Sequence, residues 1–295
     1  MITSLRKRVS AGLRCINRWI SGCSVREEQE REHAKAPEVT GKVAISILDV
    51  GKADCIVIQT ENYNMMIDTA KKRNAHDIEK FLSAKRISKI DYLELTHYDK
   101  DHIGGLKRLL EAGLEIDHIY AFEKQATSGT YMEMMEALEE AGLSLEYVEE
   151  RTELTLDDLL VEMYPPMKDS YTPVHKPSKK EIRNEFSIVT KFTHGNNRFL
   201  FTGDACKERL KELSTQMNVD VDFLKVPHHG KRDDNTTLFA KKVRAEYAVI
   251  TCSDKKMPDR SVVRALKWTG AKVYETRNGQ VNCNSDGNNI FVTQI

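Results

Sequence analysis

The sequence predicts an α/β fold, a sandwich of two mixed β-sheets flanked by helices. Three observations carry this. Short β-rich runs interleave with helical patterns along most of the chain, several consecutive runs are separated only by turn residues, and the chain closes on a hairpin. Strands joined by tight turns pair antiparallel, whereas a doubly wound parallel sheet needs a crossover helix at each step. The chain of 295 residues is 40% hydrophobic, enough for a buried core, and its 31% charged residues come with ordinary Leu/Ile/Val content, which excludes wholesale disorder. A mean hydropathy of −0.51 and the lack of any long apolar run predict no transmembrane segment.

Taken in order, Val43–Val50, Cys55–Gln59 and Met65–Ile67 read as an opening meander broken at Gly51 and at Asn62 and Asn64. His76–Ala84 has helical spacing. Asp91–Leu95 reads as a buried strand feeding a polar cluster, and Ile103–Ala112 as a helix opening after it. Tyr131–Ala141 is a helix ended by Gly142. Phe186–Phe192 and Phe199–Phe201 form a hairpin across His194-Gly195-Asn196-Asn197. A helix over 206–214, a strand over Phe223–Val226, two helix-then-strand units over 236–250 and 261–274, and a hairpin over 281–293 follow. The proline- and lysine-rich stretch 165–183 reads as a loop long enough to act as a lid.

Charge is divided unevenly. Lys+Arg and Asp+Glu number 45 each, but residues 1–42 hold nine basic and five acidic residues, so the body carries a small acidic surplus. Residues 1–23 contain no acid and repeat Ile2, Leu5, Val9, Leu13, Ile16 and Ile20 at spacings of three and four between arginines. That is a basic amphipathic helix, packed on its own domain or suited to peripheral contact with an anionic membrane. Arg14 and Arg18 exclude a secretion signal ending at Cys23. Residues 24–42 read as a polar linker, and 43–295 as the folded domain. Six scattered cysteines without a Cys-x-x-Cys pair predict free thiols and a cytoplasmic setting.

The chemistry concentrates at three strand ends. His97, Asp99, Asp101 and His102 are four candidate metal ligands within six positions, followed by Gly104-Gly105. One capping aspartate would be ordinary; four such groups are not. Residues two apart on extended chain point the same way, so His97 and Asp99 can grip one ion while Asp101 and His102 reach a second. Two ions together can hold the attacking and leaving oxygens of a phosphoester. Thr202-Gly203-Asp204 and Pro227-His228-His229-Gly230 end two further strands. His33, His76, His118, His175 and His194 lie outside these clusters and read as surface or turn residues.

In this order the motifs resemble those of metallo-β-lactamase-fold hydrolases, and within them the soluble hydrolase domain of the competence protein ComEC. Leu48-Asp49-Val50-Gly51-Lys52-Ala53-Asp54 is similar to its "DVGQGD" strand, and Met66-Ile67-Asp68-Thr69 to its "IDTG" strand. The cluster at 97–102, Asn184-x-x-Ser187, Thr202–Ala205, Leu224–Gly230, Ala248–Ile250 and Asn278-Gly279 then follow in the family's order over roughly 43–295. The resemblance implies an αββα metallo-β-lactamase fold and a site for two divalent metal ions, Zn²⁺ or Mn²⁺. It also implies phosphodiester hydrolysis by a metal-bridging hydroxide.

It implies His97 and Asp99 for one ion, Asp101 and His102 for the other, Asp204 bridging, and one of His228/His229 completing the second site. The other of that pair would serve as a proton donor or support, which makes Asp101, His228 and His229 the catalytic candidates. Asp54 and Asp68 would brace the ligands from behind. Three departures stand out. Asp99 stands in place of a histidine, Asn184 occupies the slot of the first site's third histidine, and Lys231-Arg232 and Met257-Pro258-Asp259-Arg260 replace family segments. Oxygen in place of nitrogen shifts preference from Zn²⁺ toward Mn²⁺ or Mg²⁺. Lys231 and Arg260 become candidates for phosphate contact.

The family's membrane channel has no counterpart here, so DNA transport is not expected. The function expected is hydrolysis of phosphodiesters, single-stranded DNA among them. The alternatives are a small phosphoester, ester or lactone, or a degenerate binding module without catalysis.

Overall fold

The computed structural model describes residues 41–123, 126–167, 184–233 and 236–295. The helix expected over 1–23, nearly all of the linker over 24–42 and residues 168–183 of the expected lid lie outside them, as do His33 and His175.

Two sheets form. The first has strand order β15-β14-β1-β2-β3-β4-β5-β6 and the second β13-β12-β11-β10-β9-β8-β7. In the first, β1 (Val43–Ile47), β2 (Ile56–Gln59), β14 (Val281–Ser285) and β15 (Ile290–Gln294) pair antiparallel, and β2 pairs antiparallel with β3 (Asn64–Ile67). β3, β4 (Lys89–Leu95), β5 (Glu115–Ala121) and β6 (Glu146–Tyr147) run parallel. In the second sheet β7 (Thr152–Leu156), β8 (Leu159–Tyr164), β9 (Val189–His194) and β10 (Asn197–Phe201) are antiparallel neighbours. β10, β11 (Phe223–Lys225), β12 (Tyr247–Ile250) and β13 (Lys272–Glu275) are parallel.

Helices fall at the parallel junctions, as crossover geometry requires. α1 (Ala75–Ala84), α2 (Lys100–Ile103), α3 (Leu106–Glu111) and α4 (Gly129–Glu140) serve the first sheet. α5 (Lys207–Gln216), α6 (Thr236–Val243) and α7 (Arg260–Trp268) serve the second.

The period of two along each strand sorts side chains into layers. Ile56, Ile58, Met65 and Ile67 meet Phe192, Phe199, Phe201, Phe223 and Val249 between the sheets. Val57, Met66, Leu93 and Leu95 face α1–α4 on the other side, and Leu200, Leu224, Ala248 and Ile250 face α5–α7. The result is the αββα sandwich of two mixed sheets.

The structure departs from the sequence expectations at three places. The helix expected over 103–112 is two short helices broken at Gly104-Gly105, because the helix pair presses onto the chain leaving β3. A Cβ on Gly105 would lie 2.2 Å from the Thr69 carbonyl oxygen, and one on Gly104 2.9 Å from the Lys72 nitrogen. Strands β5, β6, β7 and β8 are unassigned in the sequence. The available signals were the alternating Ile119 and Ala121 in β5 and the Asp157-Asp158 turn between two β runs. His194 is not a surface residue: it is fully buried, with Nδ1 2.7 Å from Ser285 Oγ, and it ties the β9–β10 hairpin to the β14–β15 hairpin. The four described cysteines, Cys55, Cys206, Cys252 and Cys283, are buried and free.

Two predictions follow from the layer between the sheets. Phe201, 1% exposed with its ring 5.0 Å from that of Phe192, fills the centre of that layer. Phe201→Ala should cost about 3–5 kcal/mol in urea unfolding. Glu94 accepts a 2.6 Å hydrogen bond from Thr190 across the sheets, and burial pushes its carboxyl up to about 8. Between about 4.5, the ordinary value, and about 8 the unfolded chain loses a proton that the folded chain keeps, so stability declines as pH rises through that window. Glu94→Gln removes this dependence and should gain on the wild type by a few kcal/mol across it, at about 1.4 kcal/mol per pKa unit. A stability difference that stays constant with pH would refute the assignment.

Candidate metal centre

The carboxyl ends of β3 and β4 in one sheet and of β10, β11 and β12 in the other open on the same edge of the sandwich. Asp68 follows β3 and organises the loop that follows β4. Its carboxylate accepts from Thr96 N at 2.9 Å and Thr96 Oγ1 at 2.7 Å, and lies 2.6 Å from His102 Nδ1. Asp68 itself sits at φ 58°, a strained conformation for a residue with a Cβ. The loop is further pinned by Thr69 N and Oγ1, which both donate to the His102 carbonyl, and by Asp54 N, which donates to the Asp101 carbonyl. With Nδ1 committed to Asp68, His102 turns Nε2 inward. His97 does the same with its Nδ1 3.1 Å from Thr96 Oγ1.

From the second sheet, Gly203 lets the Asp204 turn approach. A Cβ there would lie 3.0 Å from the Thr96 Cβ. Asp204 N donates to Ser187 Oγ at 3.2 Å. Beyond β11, His228 and His229 both hold left-handed backbone, at φ 47° and 54°. The strain is offset by ties to the surroundings: His228 N donates to the Gly203 carbonyl, and His229 Nδ1 lies 2.9 Å from Thr251 Oγ1. Gly230, at φ +72°, completes the turn against Pro258.

The inward atoms converge on Asp204. Its Oδ1 is 3.1 Å from His229 Nε2 and 3.4 Å from His102 Nε2, and the His97 and His102 ring centres are 4.1 Å apart. These pairs are close but not aligned as hydrogen bonds. Nε2 of His97, His102 and His229, Oδ1 of Asp204 and Oδ1 of Asn184 have no hydrogen-bond partner among the described residues. Ligand atoms of His97, His102 and Asp204 lie within 4.8 Å of one another, and so do those of Asp54, Asp204 and His229. Buried, unsatisfied lone pairs gathered around one carboxylate fit a divalent cation.

The protonation pattern has the same character. Burial alone would lower His102, but the Asp68 and Asp204 carboxylates outweigh it and hold it well above its ordinary value. Burial and the charge of His102 hold His97 well below its ordinary value, and burial lowers His228 to about 4. Burial would raise Asp204; His229 and His102 overcome it and keep the carboxylate ionised.

The remaining sequence candidates lie as follows. Asn184 is buried beside the cluster, its Nδ2 3.1 Å from His228 Nε2 and 3.5 Å from Asp204 Oδ2. Of the histidine pair, His229 therefore faces the shared carboxylate oxygen and His228 faces Asn184. Asp99 is buried in the loop, and Asp101 pairs with Lys52 at 3.2 Å; neither belongs to the groups of mutually close ligand atoms. Lys231 is exposed next to Gly230, its nitrogen donating to the His228 carbonyl at 2.9 Å. Arg260 is exposed at the start of α7, one residue past Asp259, whose nitrogen donates to the Gly230 carbonyl.

Sequence reasoning overlooked Lys225 and Thr251 beneath the cluster. Lys225, fully buried, forms an ion pair with Asp54 and donates to the Gly203 carbonyl at 2.9 Å. Thr251 Oγ1 donates to Asp54 at 2.6 Å and touches His229 Nδ1. Burial would raise Asp54, but Lys225 and then His229 and His102 lower it to about 2. A lysine inside the apolar run Phe223–Val226 was the available signal.

Two mixed sheets between helices, with histidines and carboxylates gathered on one edge, define an αββα metal-dependent hydrolase. Residues 48–253 match the family model of the metallo-beta-lactamase superfamily, and the chain belongs to that superfamily. The chain is 25% identical to ComE operon protein 3 of Bacillus subtilis (strain 168) over 268 residues, 83% of this chain and 33% of that protein. Against competence protein ComA of Neisseria gonorrhoeae it is 22% identical over 241 residues, 80% of this chain and 31% of that protein. The chain thus spans about a third of the length of these curated relatives. Among solved structures, the metallo-beta-lactamase fold protein YhfI from Bacillus subtilis aligns with a TM-score of 0.52 at 12% identity, covering 86% of this chain and 100% of that one. A CmlA beta-hydroxylase variant aligns at 0.50 and 12% identity over 86% of this chain and 54% of its own. These two likenesses bear on fold alone.

Asp54→Asn should leave the Lys225 charge buried without its partner and cost about 3–5 kcal/mol in urea unfolding. Adding Lys225→Met should recover much of that loss. A double variant as unstable as the single one would mean that packing, not charge pairing, sets the effect.

Proposed function

We propose that this chain hydrolyses phosphodiesters, with single-stranded DNA as the leading substrate, using two divalent ions held between the sheets. One observation carries the reading: three buried imidazole nitrogens and a carboxylate oxygen, none with a hydrogen-bond partner, converge at the strand ends. By the resemblance His97 and Asp99 would hold one ion, with Asn184 in the slot of that site's third histidine. Asp101, His102 and His229 would hold the other, with Asp204 between. When bound, such a pair lowers the pKa of water toward neutrality and polarises a phosphoryl oxygen. The mixed oxygen and nitrogen donors suit Mn²⁺ as well as Zn²⁺.

The chain's own groups do the rest. Asp68 fixes the loop and aims His102, Thr251 and Asp54 aim His229, and the buried Asp54–Lys225 pair keeps that support ionised. His228, lowered to about 4 by burial, is neutral at ordinary pH and lies with Nε2 3.1 Å from Asn184 Nδ2. Lys231 and Arg260, both exposed, would contact the phosphate chain. The resemblance to the hydrolase domain of competence proteins supports a nucleic-acid substrate. The acidic surplus of the body favours a second reading, a short phosphodiester, over extended duplex contact.

The test is metal content by elemental analysis, followed by Mn²⁺-dependent cleavage of single-stranded DNA and of bis(p-nitrophenyl) phosphate. Asp204→Asn should lose more than the roughly 10–100-fold typical of changes one layer out from a metal, while retaining the thermal unfolding of its fold. A chelator should abolish turnover. Full activity in Asp204→Asn would overturn the mechanism, and cleavage of the small diester alone would select the second reading.

A further inference from the structure

One cation at the mouth of the centre is absorbed neither by the fold nor by the ligand set. Lys52 occupies the loop between β1 and β2, at the position where the similar "DVGQGD" motif has glutamine. Its Nζ lies 3.2 Å from Asp101 Oδ2, and its side chain is 21% exposed, so the ammonium sits at the boundary between the cluster and solvent. The loop carrying it is held on several sides. Ala53 N donates to the Gly51 carbonyl, Asp54 N to the Asp101 carbonyl, Lys71 Nζ to the Lys52 carbonyl, and a Cβ on Gly51 would lie 3.7 Å from the Ser253 Cβ. An ammonium has three donors, and Asp101 takes one. Alongside burial, the Lys52 charge helps to lower both His228 and His229, which sets it within electrostatic reach of the far side of the pocket.

Charge balance explains what such a cation is for. Asp54, Asp68, Asp99, Asp101 and Asp204 are the buried carboxylates of the centre, and Lys225, Lys52 and Lys71 are the ammonium groups that face them. Two divalent ions would leave that set net positive. A cation held beside them is then repelled, unless an oxyanion arrives to share it.

We propose that Lys52 is a binding residue for a phosphoryl oxyanion, donating to a non-bridging oxygen of the substrate at the mouth of the centre. The inference rests on the metal-hydrolase reading and deepens it: the centre selects a phosphate-bearing anion over a neutral ester or lactone.

The test uses the full chain, Mn²⁺ and inorganic phosphate. Phosphate affinity is measured by calorimetry, and Mn²⁺ content by elemental analysis, for the wild type, Lys52→Gln and Lys52→Arg. Losing a charge-assisted hydrogen bond should weaken phosphate about 10-fold in Lys52→Gln. Mn²⁺ content and the unfolding temperature should hold, and Lys52→Arg should keep most of the affinity because it keeps the charge. Equal affinity in Lys52→Gln overturns the inference. So does a joint loss of Mn²⁺ and phosphate, which would make Lys52 a brace for Asp101. A wild type that binds Mn²⁺ but no phosphate overturns this inference and leaves the metal centre standing, whereas one that binds no Mn²⁺ overturns both.

Discussion

The structure depends on keeping charge buried between two sheets. Asp204 is 1% exposed, with His102 and His229 within 3.4 Å of one of its oxygens. A carboxylate so placed is costly unless positive charge meets it. A second layer answers the same demand: Lys225, fully buried, is matched by Asp54, and Asp54 is matched in turn by Thr251 and His229. In that second layer neither Lys225 nor Asp54 can be removed without stranding the other's charge, so the support beneath the centre also stabilises the sandwich.

The architecture supplies the network at one edge because of strand direction. In both sheets a parallel block adjoins an antiparallel one, and the carboxyl ends of the parallel strands open together. Helices cover the outer faces and leave that edge to loops. The loops carry strain: Asp68, His228 and His229 all hold left-handed backbone. Such conformations persist where surrounding contacts over-determine them, as the hydrogen bonds of Asp68, and those joining His228 to Gly203 and His229 to Thr251, do here.

Much of this was legible in residue order. Four side chains of metal-ligand type within six positions, a Gly-Asp after an apolar strand and a His-His-Gly after another point to the chemistry before any contact is known, because ligand type is a property of the residue itself. Strand alternation likewise announced the layers, since a period of two assigns each side chain a face. Where the pattern was weak, as in β5 with its exposed Glu115, Asp117 and His118, the strand went unseen, because pairing with β4 rather than its own hydrophobicity holds it in the sheet. His194 misled for the opposite reason. A histidine before a Gly-Asn-Asn turn looks solvated, and only a second hairpin arriving over it buries it.

Taken alone, the sequence determined which groups could bind metal, in what order along the chain they come, and that two sheets with outer helices would carry them. Tertiary structure decided which groups meet. His229 rather than His228 faces the shared oxygen of Asp204, since two successive left-handed residues turn adjacent rings in different directions. Lys225 answers Asp54 and Lys52 answers Asp101, pairings between residues far apart in the chain. Electrostatic partnership is a matter of distance in space and of excluded water, and neither exists until the two sheets close on each other.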